Sequence, residues 1–293
     1  MSKLFKKILW TTDFSDEAQE TFVYAESFAK TFKSELIALH VVPDFSPALY
    51  STVTSVKGDL IRRVDLIKTD MKKRLDALVK EKEVSFKSVV KEGSIAKKII
   101  ETAEEEQADL IVMGKKGLSG IEKLFLGSVA NRVLRNSSVP IFFPKKKEGE
   151  IKFDKILVPT DFSEYEEVER DFAWDFAKGF DCELMFLHVL ELHDHEFSPR
   201  ILEEMMDGLV EKLRQRKKRE AEDIKISENV TRSFNAATGI VDYAEAENFD
   251  LIVMSTCGPG KIERFFLGST TEKVISYSET PILAIPSQHF VLG

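Results

Sequence analysis

The stretch DLIVMGKKGLSGIEKLFLGS, residues 109–128, decides how the rest of the chain is interpreted. It opens with a short, mostly apolar run that is typical of a strand buried in a parallel sheet. Glycines follow at positions 114, 117 and 127, and Ser128 is a capping residue at the predicted start of a helix. Glycines allow close backbone approach to a ligand, and a helix N-terminus attracts anions. The pattern therefore fits a phosphate-binding loop, and it equally fits a glycine-rich surface turn.

The same pattern belongs to a longer internal repeat. The segment ILWTTDFS at residues 8–15 recurs as ILVPTDFS at residues 156–163. The segment ELIALHVV at residues 35–42 recurs as ELMFLHVL at residues 183–190. Repeats of this length indicate two copies of one domain rather than a solenoid of short units.

The opening stretch also recurs, with DLIVM at residues 250–254 and FLGS at residues 266–269. We place the first domain at residues 1–146 and the second at residues 151–293. Residues 147–150 are charged and lack apolar anchors, so we interpret them as the linker.

Strand and helix patterns alternate along each copy. In the first copy they predict strands at 7–12, 36–42, 84–90, 109–113 and 140–143, and helices at 15–32, 58–82, 94–107 and 128–135. The second copy repeats this order, with its long helix at 197–222 and its last strand at 281–285. Alternation of this kind predicts an α/β fold: two tandem doubly wound domains, each with a five-stranded parallel sheet and helices on both faces.

Composition places the chain among soluble globular proteins. It has 293 residues, of which 43% are hydrophobic and 31% are charged, and it contains no apolar run long enough to span a bilayer. The N-terminus does not resemble a signal peptide, so we expect a cytoplasmic protein that does not bind membranes. The net charge of −8 argues against nucleic-acid binding, and two cysteines argue against a disulfide framework.

Three predicted strand ends indicate where a ligand would bind. In an open α/β sheet, ligands bind beyond the carboxyl ends of the strands, and Asp13, Val41 and Gly114 stand at such ends. The Asp13 carboxylate can accept hydrogen bonds from the amino group of a base. Its alternative role is to cap the helix that begins near Ser15.

The Thr-Asp-Phe-Ser motif after the first strand and the Gly-x2-Gly-x9-Gly-Ser pattern after the fourth resemble the universal stress proteins, in particular their ATP-binding branch. The resemblance covers nearly the whole chain in two tandem copies. It implies a sheet in the order 3-2-1-4-5 that binds ATP, alone or with Mg²⁺, at its carboxyl edge. The residues that it assigns to nucleotide binding in the first domain are Thr12, Asp13, Val41, Met113, Gly114, Gly117, Gly127, Ser128 and Val129.

The second copy departs from this pattern at one position. Ser255 stands where the first copy has Gly114, and its Cβ would hinder close backbone approach to a ligand. Phe234 aligns near Gly93 and would crowd the same edge. The positions that the second copy retains are Asp161, Val189, Gly258, Gly268 and Ser269. Whether the second site binds nucleotide is left open by these residues.

Other local patterns carry less weight. The run HDHE at residues 193–196 resembles a metal-ligand cluster but lacks partner ligands at a recognisable spacing, so we interpret it as a polar loop. The run GPGKI at residues 258–262 lacks the serine or threonine of a P-loop. Lys115 and Lys116 stand inside the first glycine pattern, where they can neutralise phosphate charge, and the alternative is that both are simply solvated.

No catalytic set is evident, so ATP hydrolysis is expected to be slow at most. We expect a nucleotide-dependent switch or adaptor that acts on an unidentified protein partner. The alternatives are an interaction module without nucleotide and an enzyme that uses ATP for transfer. Family members pair through their last strands, which implies an internal pseudo-dimer through residues 139–143 and 280–285. A homodimer is the further option that the resemblance leaves open.

Overall fold

The computed structural model of the chain describes residues 4–44, 54–80, 84–115, 126–145, 151–162, 166–192, 197–215, 224–256 and 267–286. The chain forms two compact units. The first contains residues 1–121 and 127–139, and the second contains residues 122–126 and 140–293. The predicted linker lies outside the described residues.

The first unit alternates strands and helices as predicted. Its elements are β1 Lys7–Thr11, α1 Asp16–Phe32, β2 Glu35–Pro43, α2 Thr54–Val79, β3 Phe86–Gly93, α3 Ile95–Glu106, β4 Leu110–Val112 and α4 Ser128–Asn136. The strands pair in parallel in the order β3-β2-β1-β4. The carboxyl ends of β1 and β4 are therefore adjacent, which is the arrangement that brings ligand-binding loops together.

The second unit repeats the alternation and adds one strand. Its elements are β5 Ile141–Phe143, β6 Lys155–Pro159, α5 Glu166–Phe180, β7 Glu183–Glu191, α6 Pro199–Gln215, β8 Ile226–Ser233, α7 Ala236–Ala246, β9 Leu251–Ser255, α8 Ser269–Tyr277 and β10 Ile282–Ile285. Five strands run parallel in the order β8-β7-β6-β9-β10, which is the predicted 3-2-1-4-5. The α/β, doubly wound prediction is confirmed.

Strand β5 comes from the first sequence copy but lies in the second compact unit. It pairs antiparallel with β10, with Phe142 opposite Leu283. The last strands of the two copies therefore meet, and all three residues of β5 are fully buried. Pairing with β10 gives hydrogen-bond partners to the backbone of an apolar strand that could otherwise pair with another chain.

Helix α1 shows how the sequence determines packing. The Ser15 hydroxyl accepts a hydrogen bond from the Ala18 amide at 3.1 Å and so caps the helix. The predicted apolar face, which includes Ala25 and Phe28, is buried. Full burial of a side chain such as Phe28 contributes roughly 1.5–3 kcal/mol. A cap and one apolar face are therefore enough to fix both the start of this helix and its orientation.

Several element boundaries differ from the prediction, and two of the differences have a clear physical reason. Helix α2 begins at Thr54 rather than at residue 58, because a single glycine is tolerated inside a helix. Strand β3 continues to Gly93 rather than ending at residue 90, because it pairs with β2 up to the Pro43–Gly93 pair. Pairing with a neighbouring strand, which the local sequence does not encode, decides this end. Among the described residues, no helix has the length and apolar character needed to cross a membrane.

Candidate functional site

A cavity of about 150 Å³ lies at the carboxyl ends of the first unit's strands. It brings together all the predicted site residues of the first domain that the structure describes: Thr12, Asp13, Val41, Met113, Gly114, Gly127, Ser128 and Val129. Gly117 lies outside the described residues. Residues that are far apart in sequence therefore share one cavity, as the predicted sheet topology requires.

The N-terminus of α4 borders this cavity without a side-chain cap. Gly127, not Ser128, is the N-cap residue, so the prediction that Ser128 caps the helix is wrong. Gly127 has no side chain to accept hydrogen bonds from the first turn, and its φ of −58° is one that any residue can adopt. Glycine matters here because it has no side chain, so the amide groups of the first turn stay open to an anion.

The N-terminus of α3 borders the same cavity. Its N-cap residue, Ser94, makes no side-chain cap hydrogen bond, and Ile95 lines the cavity. Lys115 also lines the cavity, and its carbonyl accepts a hydrogen bond from the Gly127 amide at 2.8 Å. Two helix N-termini and one lysine thus make this edge of the sheet favourable for negative charge.

Asp13 does not itself cap α1, because Ser15 is the N-cap residue, but it contacts that residue. Its Oδ1 accepts hydrogen bonds from the Ser15 amide at 3.0 Å and from the Ser15 hydroxyl at 2.5 Å. Asp13 therefore orients the residue that caps α1. Because Asp13 also lines the cavity, a ligand there would contact a carboxylate that is already held in place.

Sequence reasoning missed a stack of side chains behind this edge. His40 Nδ1 donates a hydrogen bond to the Thr12 carbonyl at 2.8 Å, and the rings of His40 and Phe14 lie 4.7 Å apart. The Arg74 guanidinium lies 4.7 Å from the centre of the Phe14 ring. Phe14 has a φ of 63°, which is unusual for an aromatic residue. The stack holds the chain in a strained conformation directly after Asp13.

The second unit contains an equivalent stack. His188 contacts the Thr160 carbonyl at 2.8 Å, and Phe162 has a φ of 62°. The Lys212 ammonium takes the place of the guanidinium, 4.0 Å from the centre of the Phe162 ring. The sequence signal for both stacks was the histidine that recurs within the second strand of each copy.

The environment of His40 changes its acidity. Burial lowers the pKa of His40 below its ordinary value, and the charge of Arg74 acts in the same direction. The hydrogen bond to Thr12 and the charge of Asp13 raise the pKa but do not outweigh burial. His40 is therefore neutral in the folded chain near neutral pH.

The second unit has a larger cavity, of about 490 Å³, at the equivalent edge. Its lining includes the predicted residues Asp161, Val189, Gly268 and Ser269, together with Ser255. Gly258 lies outside the described residues. The prediction that Phe234 crowds this edge is wrong, because Phe234 is 80% exposed and does not line the cavity.

One equivalent position carries a larger side chain in the smaller cavity. Ile95 lines the first cavity at the N-terminus of α3, whereas Ala236 lines the second at the N-terminus of α7. Gly268 caps α8 as Gly127 caps α4, and α8 likewise lacks a side-chain cap hydrogen bond. The two edges are therefore built on one plan with different side chains.

Comparison with known proteins identifies the relatives of this chain. The model of the universal stress protein family matches residues 4–143 and again residues 152–286. A universal stress protein of Methanocaldococcus jannaschii is 37% identical over 148 residues, which are 50% of this chain and 86% of that protein. A second universal stress protein of the same organism is 30% identical over an alignment of 162 residues, which covers 51% of this chain and all of that protein.

A solved structure shows the same fold over the whole chain. The crystal structure of a universal stress protein from Archaeoglobus fulgidus superposes with a TM-score of 0.67 and 23% sequence identity. The match covers 98% of this chain and 99% of that one.

Proposed function

The chain belongs to the universal stress protein family, and from that premise we propose that its first domain binds ATP and thereby acts as a switch or adaptor. The nucleotide orders the loop after β4, and a protein partner binds the surface that results. The identity of that partner and the cytoplasmic location of the protein stay predictions.

The observation that carries this proposal is the pair of helix N-termini without side-chain caps at one cavity. The first turns of α3 and α4 both border the cavity, and Lys115 adds a positive charge there. Amide groups at a helix N-terminus, together with the helix dipole, bind phosphate in many nucleotide sites. No acidic residue occupies the first turn of either helix, so nothing in these turns competes with a phosphate.

The volume of the cavity suggests which part of the nucleotide it would hold. Cavities for whole small molecules measure roughly 300–1,000 Å³, and the first cavity is smaller, at about 150 Å³. We therefore assign the cavity to the base, beside Asp13 and Val41. We assign the phosphates to the helix N-termini, where Gly127 and Ser128 form the start of α4.

The described lining of this cavity supports binding rather than catalysis. Its ionisable side chains are Asp13 and Lys115, and Asp13 is hydrogen-bonded to Ser15. No described residue there forms a nucleophile with an adjacent base. A second candidate function, an interaction module without nucleotide, is favoured by one observation only, which is the small volume of the cavity.

Calorimetric titration of Mg-ATP into nucleotide-free protein tests the proposal. Gly127→Asp places a carboxylate at the N-cap of α4, where it satisfies the helix but repels phosphate. We expect wild-type protein to bind ATP and Gly127→Asp to lose at least about tenfold in affinity. The matched control is Gly268→Asp, which makes the same change in the second domain and should leave this binding intact. Absence of ATP binding by wild-type protein would favour the interaction module.

A further inference from the structure

Two residues of the first cavity, Thr12 and Asp13, lie in the turn between β1 and α1. The Thr12 amide donates a hydrogen bond to the Leu39 carbonyl at 3.0 Å, and the Thr12 carbonyl accepts one from His40. The Asp13 carboxylate accepts hydrogen bonds from Ser15. Neighbouring groups of the first unit therefore hold both cavity residues in place.

Phe14 completes this turn in a strained conformation. Its φ of 63° lies in the left-handed region, which is unfavourable for a residue that has a Cβ and persists only where surrounding contacts hold it. The Phe14 amide donates a hydrogen bond to Thr12 Oγ1 at 2.9 Å, and the Phe14 carbonyl accepts one from Gln19 Nε2 at 3.3 Å. Contacts at both ends of the residue thus maintain the strain directly beside Asp13.

Side chains from two other elements contact the Phe14 ring. His40 belongs to β2, and Arg74 belongs to α2, which packs against β2 and β3. Arg74 precedes Leu75, which is fully buried, so the packing of α2 fixes the helix face on which Arg74 lies. None of Phe14, His40 and Arg74 is among the described residues that line the cavity. Any effect of this stack on a ligand in the cavity would therefore pass through the turn.

The second unit repeats the arrangement with a different cation. Phe162 has a φ of 62°, its amide donates a hydrogen bond to Thr160 Oγ1 at 3.2 Å, and its ring lies 4.6 Å from that of His188. Lys212 lies over this ring and likewise precedes a buried leucine, Leu213. The helices that carry the two cations differ in length, with 26 residues in α2 and 17 in α6. The contact is therefore a feature of the fold, and lysine can take the place of arginine in it.

We propose that Phe14 and Arg74 are positioning residues for the nucleotide, because they fix the turn in which Asp13 presents its carboxylate to the cavity. This inference rests on the proposed binding of ATP by the first domain. A turn that is ordered before the ligand binds loses less conformational entropy on binding, so the affinity is higher. Neither residue needs to touch the nucleotide for this effect.

A double-mutant cycle between Phe14 and Asp13 tests this inference, with Mg-ATP affinity measured by calorimetric titration. Phe14→Gly removes the ring and the strain together, and we expect it to lower the affinity at least about fivefold. Asp13→Asn keeps an oxygen that can accept the hydrogen bonds of Ser15, so binding becomes weaker but stays measurable. In the Asp13→Asn background, Phe14→Gly should change the affinity less than about twofold, because the two residues act through one contact.

Variants of Arg74 test the cation separately at an exposed position. Arg74→Met should lower the affinity for ATP about two- to fivefold, the range that corresponds to a cation–π contact at an exposed site. Arg74→Lys should bind ATP as wild-type protein does, because Lys212 makes the equivalent contact. The matched control is Lys72→Met, which removes a cation from another exposed position of α2 and should change nothing. Thermal unfolding of each variant confirms that it is folded.

The possible outcomes separate this inference from the proposed function. Absence of ATP binding by wild-type protein would overturn both. If wild-type protein binds ATP, equal affinity in folded Phe14→Gly would overturn the inference alone. Equal losses from Phe14→Gly with and without Asp13 would also overturn it, because they would mean that Phe14 only stabilises the fold. Failure of Arg74→Lys to match wild-type protein would remove Arg74 from the positioning role.

Discussion

At the scale of single residues, His40 links the stability of the first domain to pH. In the unfolded chain an imidazole takes up a proton near its ordinary pKa of about 6.5, whereas burial lowers the pKa of His40 in the folded chain. Between these two values the unfolded chain binds more protons, so stability rises with pH. The stabilisation that comes from neutral, buried His40 is complete above about pH 6.5 and is lost as the pH falls towards the lowered pKa.

We therefore expect the free energy of unfolding to decline on acidification from about pH 7.5 to about pH 5.5, and to decline less steeply in His40→Gln. Urea denaturation at several pH values measures both slopes. His188→Gln removes the equivalent contact to a backbone carbonyl in the second domain and controls for loss of that hydrogen bond. An unchanged slope in His40→Gln would mean that other groups cause the decline.

At the scale of secondary-structure elements, two serines test what a helix cap contributes. Ser15 accepts a hydrogen bond from the first turn of α1, whereas Ser94, at the N-cap of α3, makes no such bond. Loss of a capping side chain costs about 0.5–2 kcal/mol. We expect Ser15→Ala to lower the free energy of unfolding by that amount and Ser94→Ala to have little effect, as measured by urea denaturation. Equal losses would show that the difference in capping has no energetic meaning.

Two helical glycines of the second domain predict stability changes of opposite sign. A Cβ at Gly239 would lie 2.7 Å from Val189 Cγ1 and 2.8 Å from the Ser233 Cβ, whereas a Cβ at Gly208 would meet nothing within 4 Å. Alanine favours a helix over glycine by about 0.5–1 kcal/mol, but overpacking costs about 1–3 kcal/mol. We expect Gly208→Ala to raise the melting temperature and Gly239→Ala to lower it. A rise in both would mean that α7 moves away from the sheet at little cost.

The sequence predicts elements better than it predicts their ends. Apolar periodicity located the strands and helices of both units, because it follows from burial of one face. The end of β3 depends on its pairing with β2 up to Gly93, which lies outside any local window. Ser128 matched a capping residue, but the backbone at Gly127 turns one residue earlier. Residue preferences do not resolve a difference of that size.

At the scale of the whole molecule, the two copies of one fold present cavities of different volume at equivalent edges. The repeat made the equivalent positions visible, so the residues that meet at each cavity could be predicted from sequence. The difference in volume between the two cavities could not be predicted, because it depends on how side chains from separate elements pack at each edge.

The number of ATP molecules bound per chain tests the central claim most directly. Equilibrium dialysis at saturating Mg-ATP should give a single ATP per chain for wild-type protein and for Gly268→Asp. It should give none for Gly127→Asp. A single ATP that survives Gly127→Asp and is lost in Gly268→Asp would contradict the assignment of nucleotide to the first domain. Two ATP molecules per chain would show that the second domain binds nucleotide as well.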